Sequence, residues 1–123
     1  MRELSIVIPS FNEADSLNEL FERIDNISII NSINIQLILV DDGSNDNTEE
    51  VFNSFKPKNI ESLTYIKLRC NSGKSEALSI GINNVKYDLI CTIDADLQDQ
   101  PEEIIKLLNK LDQGYDLVSG WKS

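Results

Sequence analysis

The chain contains no histidine. That excludes every Ser-His-Asp or Cys-His catalytic set and every histidine-containing zinc site. Its two cysteines, Cys70 and Cys91, make no CxxC and no metal-ligand spacing, and they read as buried free thiols in a reducing cytosol. Basic residues are scarce: 11 Lys+Arg stand against 21 Asp+Glu, for a formal net charge of −10. A nucleic-acid binder needs a basic face to displace counterions, and a polybasic membrane contact needs clustered Lys and Arg, so the balance argues against both. No apolar run approaches the ~20 residues of a membrane span. The start, MRELSIVIP, carries one Arg and a short apolar run ended by Pro9, which is not a signal peptide. No GxGxxG is present, which leaves dinucleotide binding without support.

What remains is an acidic, cytoplasmic-type chain of 123 residues, 41% hydrophobic, enough for one domain with one core over residues 1–123. Short β-branched runs at residues 4–8, 36–40, 63–68, 88–93 and 115–119 predict five strands. Helical patterns lie between them. The first carries Leu17, Leu20, Phe21, Ile24 and Ile27, with Asn12 as its expected N-cap. The second carries Val51, Phe52 and Phe55, with Ser44 or Asn45 as its cap and Pro57 as its stop. The third, over about residues 74–84, turns Ala77, Leu78, Gly81 and Ile82 inward. The fourth follows a capping-box pattern, Asp99-Gln100-Pro101-Glu102, and presents Ile104, Ile105, Leu107, Leu108 and Leu111 before Gly114. Alternation of this kind predicts an α/β fold, a mainly parallel sheet with helices on both faces. The chain stops at Trp121-Lys122-Ser123, directly after the last expected strand, which suggests a truncated domain.

Ligands of open α/β sheets bind beyond the C-terminal strand ends. Pro9-Ser10-Phe11-Asn12-Glu13 follow the first strand, Asp41-Asp42-Gly43-Ser44 the second, Arg69, Asn71, Gly73 and Lys74 the third, and Asp94, Ala95, Asp96 and Gln98 the fourth. Asp94 and Asp96, two apart in an extended segment, point the same way. Two hard oxygen donors beside a cleft suit Mg²⁺ or Mn²⁺ completed by a diphosphate and water, with Gln98 as a further neutral oxygen. An isolated DxD is more often a solvated turn before a helix; position among three other polar strand ends favours the site. Of Asp41 and Asp42, one is ordinary Asp-Gly turn chemistry, while the other could accept from a base or ribose. Asn71-Ser72-Gly73-Lys74-Ser75 ends in GKS but has Leu68 where a P-loop needs glycine. A lysine at a helix start could still attract a phosphate, although a solvated Lys is commoner.

The segments SIVIPSFNE, VDDGSNDNT, NSGKSEAL and DADLQDQPEE, in this order and spacing, resemble the family 2 glycosyltransferases of GT-A fold. The DADLQDQPEE form is most similar to the polyprenyl-phosphate sugar transferases, and the likeness runs over about residues 3–121. It implies inverting, hexosyl-type transfer from a UDP- or GDP-linked sugar to a lipid phosphate or glycan, in cell-envelope polysaccharide synthesis. The full-length protein would then lie at the inner face of the membrane. Carried over by position, Pro9, Phe11, Asn12 and Glu13 line the nucleotide pocket, Asp41 contacts base or ribose with Asp42 beside it, and Gly73 and Lys74 lie near the nucleotide. Asp94 and Asp96 become the DxD pair, with Asp96 the principal metal ligand and Gln98 a third one. Phe11 stands where the family often has Tyr, and Gln100 where the related motif often has proline. Only the donor-binding half is covered, and no catalytic base can be named. An alternative is a donor-binding module without turnover. A phospho-receiver domain, of similar length and alternation, needs paired acids after its first strand, where Pro9-Ser10 stand here.

Overall fold

Side-chain alternation along the two longest strands builds the layers. The computed structural model describes residues 2–96 and 100–112. In chain order the elements are β1 (Arg2–Ser10), α1 (Ala14–Asn31), β2 (Ile33–Asp41), α2 (Thr48–Ser54), β3 (Ser62–Lys67), α3 (Lys74–Ile82), β4 (Ile90–Thr92) and α4 (Glu103–Asp112). Leu4, Ile6 and Ile8 of β1 and Ile33, Ile35, Leu37 and Leu39 of β2 face one side. There they meet the apolar stripe of α1 (Leu17, Leu20, Phe21, Ile24, Ile27), Phe52 of α2, and Ile104 and Leu108 of α4. Val7, Ile38 and Val40 face the other side, where Ala77 of α3 covers them. Residues two apart on a strand share a face, so a run buried on both faces has to be apolar throughout, and residues 6–8 and 37–40 are.

All strand pairs are parallel, in the order β3-β2-β1-β4. The two cysteines belong to opposite sides of the sheet: Cys70 follows β3, and Cys91 lies in β4. Both thiols are free, but Cys70 is exposed, not buried as expected, because it sits in the loop beyond β3. Helix α3 lies tight against the sheet because its contact face is small. A Cβ added at Gly81 would come within 2.4 Å of a Val7 methyl.

Local structure departs from the sequence expectations at the helix starts. Asn12 does not cap α1: it has a φ of 54°, and the residue before the helix is Glu13, whose side chain makes no capping bond. Neither Ser44 nor Asn45 caps α2, which begins later. Asp46 takes the Thr48 N–H at 3.2 Å and the Thr48 hydroxyl, and also the Ala14 N–H of α1 at 3.2 Å. One carboxylate thus serves two helix starts. Ile82 is exposed, since α3 ends there, and Leu78 is half-buried. Pro101 and Glu102 form a turn ahead of α4, and Glu102 is bound by Arg23 of α1, Nη2–Oε1 2.5 Å. The Asp99 end of the expected capping box, Gly114, the strand expected at 115–119, Trp121, and the side chains of Leu107 and Leu111 lie outside the described residues.

At the N-terminal edge of the sheet, buried polar groups close on one another. The Ser5 hydroxyl donates to Gln36 Oε1 at 2.6 Å, which also accepts the Lys86 N–H at 2.9 Å. Asp25, buried on α1, accepts the N–H groups of Lys58, Asn59 and Ile60 at 2.7, 2.9 and 2.9 Å and so fixes the approach to β3. Buried polar groups are tolerated when satisfied in this way.

Candidate functional site

The β1–β4 register ends at Val7↔Thr92, whereas β1 stays paired with β2 to Ser10↔Asp41. The chain therefore diverges from β1 toward β2 on one side and β4 on the other, and a cleft opens at this switch point. It encloses about 430 Å³, and its walls include Pro9, Ser10, Phe11, Glu13, Asp42, Gly73, Lys74, Asp94 and Asp96. Eight of the ten candidate nucleotide-binding positions are thus gathered at one place. Asn12 and Asp41 are not on its walls, and Gln98 lies outside the described residues.

The β2 end is a framework. Asp41, 1% exposed, accepts the Ser44 N–H at 2.8 Å and the Tyr65 hydroxyl. Burial, and then the bond to Asp41, pushes the Tyr65 phenol well above its ordinary value, so it stays a donor. Asp42 accepts the Ser72 N–H at 2.7 Å and the Gly73 N–H at 2.9 Å, one on each oxygen. Between β2 and the 70–73 loop sits Gly43, with φ +84°; a Cβ there would lie 2.7 Å from the Cys70 carbonyl carbon. On the other side, Ser44 Oγ accepts the Asn12 N–H and Asn12 Oδ1 accepts the Asn45 N–H, both at 2.8 Å. One turn thereby holds the loops that enter α1 and α3.

The β4 end is different. Asp94 and Asp96 face the cleft, with Asp96 exposed, and Asp94 Oδ1 meets Lys74 Nζ at 2.6 Å. The Ser16 hydroxyl donates to the Ala95 carbonyl at 2.5 Å, which ties this turn to the first turn of α1. Glu13, opposite, is raised above the usual carboxylate range by burial and then by the negative charge of Asp96. Asp46 and Asp94 add smaller contributions of the same sign, so acidic neighbours contribute part of that shift. The described residues contain no cluster of three or more acids or cysteines able to hold a metal by themselves. Two cleft-facing carboxylates nonetheless fit Mg²⁺ or Mn²⁺, which commonly take one or two carboxylates and complete their shell with phosphate oxygens and water.

Ser10 escaped the residue-by-residue reading. Its side chain is on the cleft wall, 3% exposed, and its buried hydroxyl has no hydrogen-bond partner among the described residues. An unpaired buried hydroxyl costs stability. A serine after a strand-end proline gives no signal of this in sequence; only the mismatch between burial and partners does. Ser16 was equally silent, because its bond to Ala95 spans 79 residues.

A parallel sheet with helices on both faces and a polar cleft at its switch point defines an open α/β fold of the nucleotide-binding type. The sequence pattern of Glycosyl transferase family 2 matches residues 5–122, and the chain belongs to that family. The undecaprenyl-phosphate 4-deoxy-4-formamido-L-arabinose transferase of Edwardsiella ictaluri (strain 93-146) is 42% identical over 117 residues, which cover 94% of this chain and 35% of that protein. The chain therefore spans about a third of the curated relatives it matches. Among solved structures, S. aureus TarS 1-349 in complex with UDP-GlcNAc superposes with a TM-score of 0.75 at 18% identity, over 92% of this chain and 32% of that one. Glucosyl-3-phosphoglycerate synthase from Mycobacterium tuberculosis, crystallised with Mn²⁺, UDP and glucosyl-3-phosphoglycerate, gives 0.67 at 22% identity, over 89% and 39%. At these identities the likeness establishes the fold.

Proposed function

We propose that this chain is the donor-binding part of an inverting glycosyltransferase that passes a sugar from a nucleoside-diphosphate sugar to a polyprenyl phosphate at the cytoplasmic face of a membrane. The observation that carries this reading is the β4 end of the cleft. There Asp94 and Asp96 face an open space whose walls also carry Ser10, a buried hydroxyl with no hydrogen-bond partner among the described residues. A diphosphate should be repelled by a chain of formal charge −10, so the reading requires a divalent cation between the two anions. Asp96, with Asp94 beside it, would hold Mg²⁺ or Mn²⁺, and the cation when bound would neutralise charge developing on the departing diphosphate.

The protein's own groups then bind and orient. The Phe11 ring, 40% exposed on the cleft wall, offers a flat apolar face for a base. Lys74, in the first turn of α3, offers a cation for a phosphate. The framework assigned to Asp41 and Asp42 leaves them positioning roles: their carboxylate oxygens accept from backbone N–H groups and from Tyr65. The relative from Edwardsiella supports an undecaprenyl phosphate acceptor by its name. Its named sugar is a pentose derivative, so support for the donor class stops at a nucleotide sugar and does not reach a hexose. A lipid phosphate is ionised near neutral pH and needs no base: its oxygen bonds to the anomeric carbon as the diphosphate oxygen leaves with the bonding pair.

The second reading is a module that binds donor without turning it over. Calorimetric titration of UDP and of GDP, with Mn²⁺ and then with EDTA, tests the binding claim. Binding of one nucleotide that EDTA abolishes is expected, and equal affinity in EDTA would overturn it. Release of free sugar from the matching donor would separate the enzyme from the module.

A further inference from the structure

Among the described residues Lys74 is the one lysine on the cleft wall, and it is not directed into open space: its Nζ lies 2.6 Å from Asp94 Oδ1. The lysine side chain is 59% exposed and the aspartate 19%, so the cation reaches inward to a carboxylate that is largely covered. The backbone leading to Lys74 is held rigidly, because Asp42 grips the Ser72 and Gly73 N–H groups. Gly73 itself adopts φ +100°, with nothing within 4 Å of where a Cβ would stand, so the approach beside it is open. The carboxylate's own backbone is held too, through the Ser16 bond to Ala95. Two fixed backbones thus present a long, flexible, exposed cation to one member of an acidic pair.

Resting on the donor-binding reading above, we propose that Lys74 is an internal counter-ion that occupies Asp94 until a diphosphate draws it away, so that capture of the cation and capture of the nucleotide are coupled. Without nucleotide, the ammonium neutralises Asp94 and lowers the pull of the Asp94–Asp96 pair on a divalent cation. A diphosphate entering the cleft competes for the ammonium with two or more charged oxygens. As Lys74 swings to the phosphates, Asp94 regains its full charge beside Asp96 and the cation binds more tightly. Linkage makes the effect reciprocal: the cation must strengthen nucleotide binding by the factor with which the nucleotide strengthens cation binding. Free metal would then be held poorly, and the loaded site would assemble only with donor present.

The test is Mn²⁺ titration of the intact protein, followed by electron paramagnetic resonance of free Mn²⁺, alone and with saturating UDP or GDP. Lys74→Met should tighten nucleotide-free Mn²⁺ binding by about fivefold, the scale of an exposed ion pair, and should shrink the gain that nucleotide brings by at least that factor. Lys74→Arg keeps the charge and should behave as wild type. Because the side chain is mostly exposed, neither change should alter the thermal melt. Unchanged or weaker nucleotide-free Mn²⁺ binding in Lys74→Met, in a protein that still binds Mn²⁺ with nucleotide, would overturn the counter-ion role and leave the site reading intact. Failure of wild type to bind Mn²⁺ with either nucleotide would overturn both.

Discussion

Strands β2 and β4 flank β1, and each ends in a pair of aspartates that the sequence presents in nearly the same way. Their surroundings give them opposite work. Asp41 and Asp42 are buried, and their oxygens are engaged by backbone N–H groups and the Tyr65 hydroxyl. Asp94 and Asp96 lie on the wall of an open cleft; Asp94 pairs with the exposed Lys74, and Asp96 raises Glu13. At the β2 end loop N–H groups converge on buried carboxylates, whereas at the β4 end the carboxylates face the cleft. The spacing of acids cannot distinguish the two, because the deciding partners lie about 30 residues away for Asp42.

Mutations should separate the two ends. The largest effect is expected at the framework, from Gly43→Ala. The added Cβ meets backbone at 2.7 Å in a positive-φ residue, and the change should cost more than about 3 kcal/mol in urea denaturation. Asp42→Ala should follow at about 2–3 kcal/mol, since it removes a charged acceptor from two loop N–H groups. A cost below about 0.5 kcal/mol would contradict the framework role. At the other end, Asp96→Asn should leave stability within about 0.5 kcal/mol of wild type while removing most Mn²⁺-dependent nucleotide binding. Asp112→Asn, far along α4, should change neither.

The smallest effect concerns pH. Glu13 is raised in the folded state, so its contribution favours folding most below the unfolded carboxylate value and is lost as pH rises through the folded one. NMR titration should show Glu13 moving back toward its ordinary range in Asp96→Asn. Glu102 is the opposite case: its bond to Arg23 lowers it, so its contribution is present above the unfolded value and is lost as pH falls through the folded one. Unmoved Glu13 in Asp96→Asn would contradict that contribution of Asp96.

The layers were legible because continuous apolar runs and helical apolar stripes report burial directly, as in β1 and α1. The helix starts were not. Asn12 looks like a cap, yet its φ of 54° and its bond to Asn45 make it part of the β2 turn's grip. Asp46 looks like loop, yet it serves α1 and α2 together. Both roles depend on contacts that only the folded chain creates. The gathering of polar strand ends was readable from topology, whereas the division of labour between Asp41-Asp42 and Asp94-Asp96 was not. Ser10 was hidden for a simpler reason: its interest lies in the partner it lacks.

The most direct test of that division is paramagnetic broadening of backbone amide signals by substoichiometric Mn²⁺ in the presence of UDP or GDP. The account predicts loss of signal centred on Asp94, Ala95 and Asp96, reaching Glu13 across the cleft, with weaker effects at Asp41 to Ser44. It also predicts that Asp96→Asn abolishes the pattern. Broadening centred on Asp41 and Asp42, or a pattern unchanged in Asp96→Asn, would contradict it.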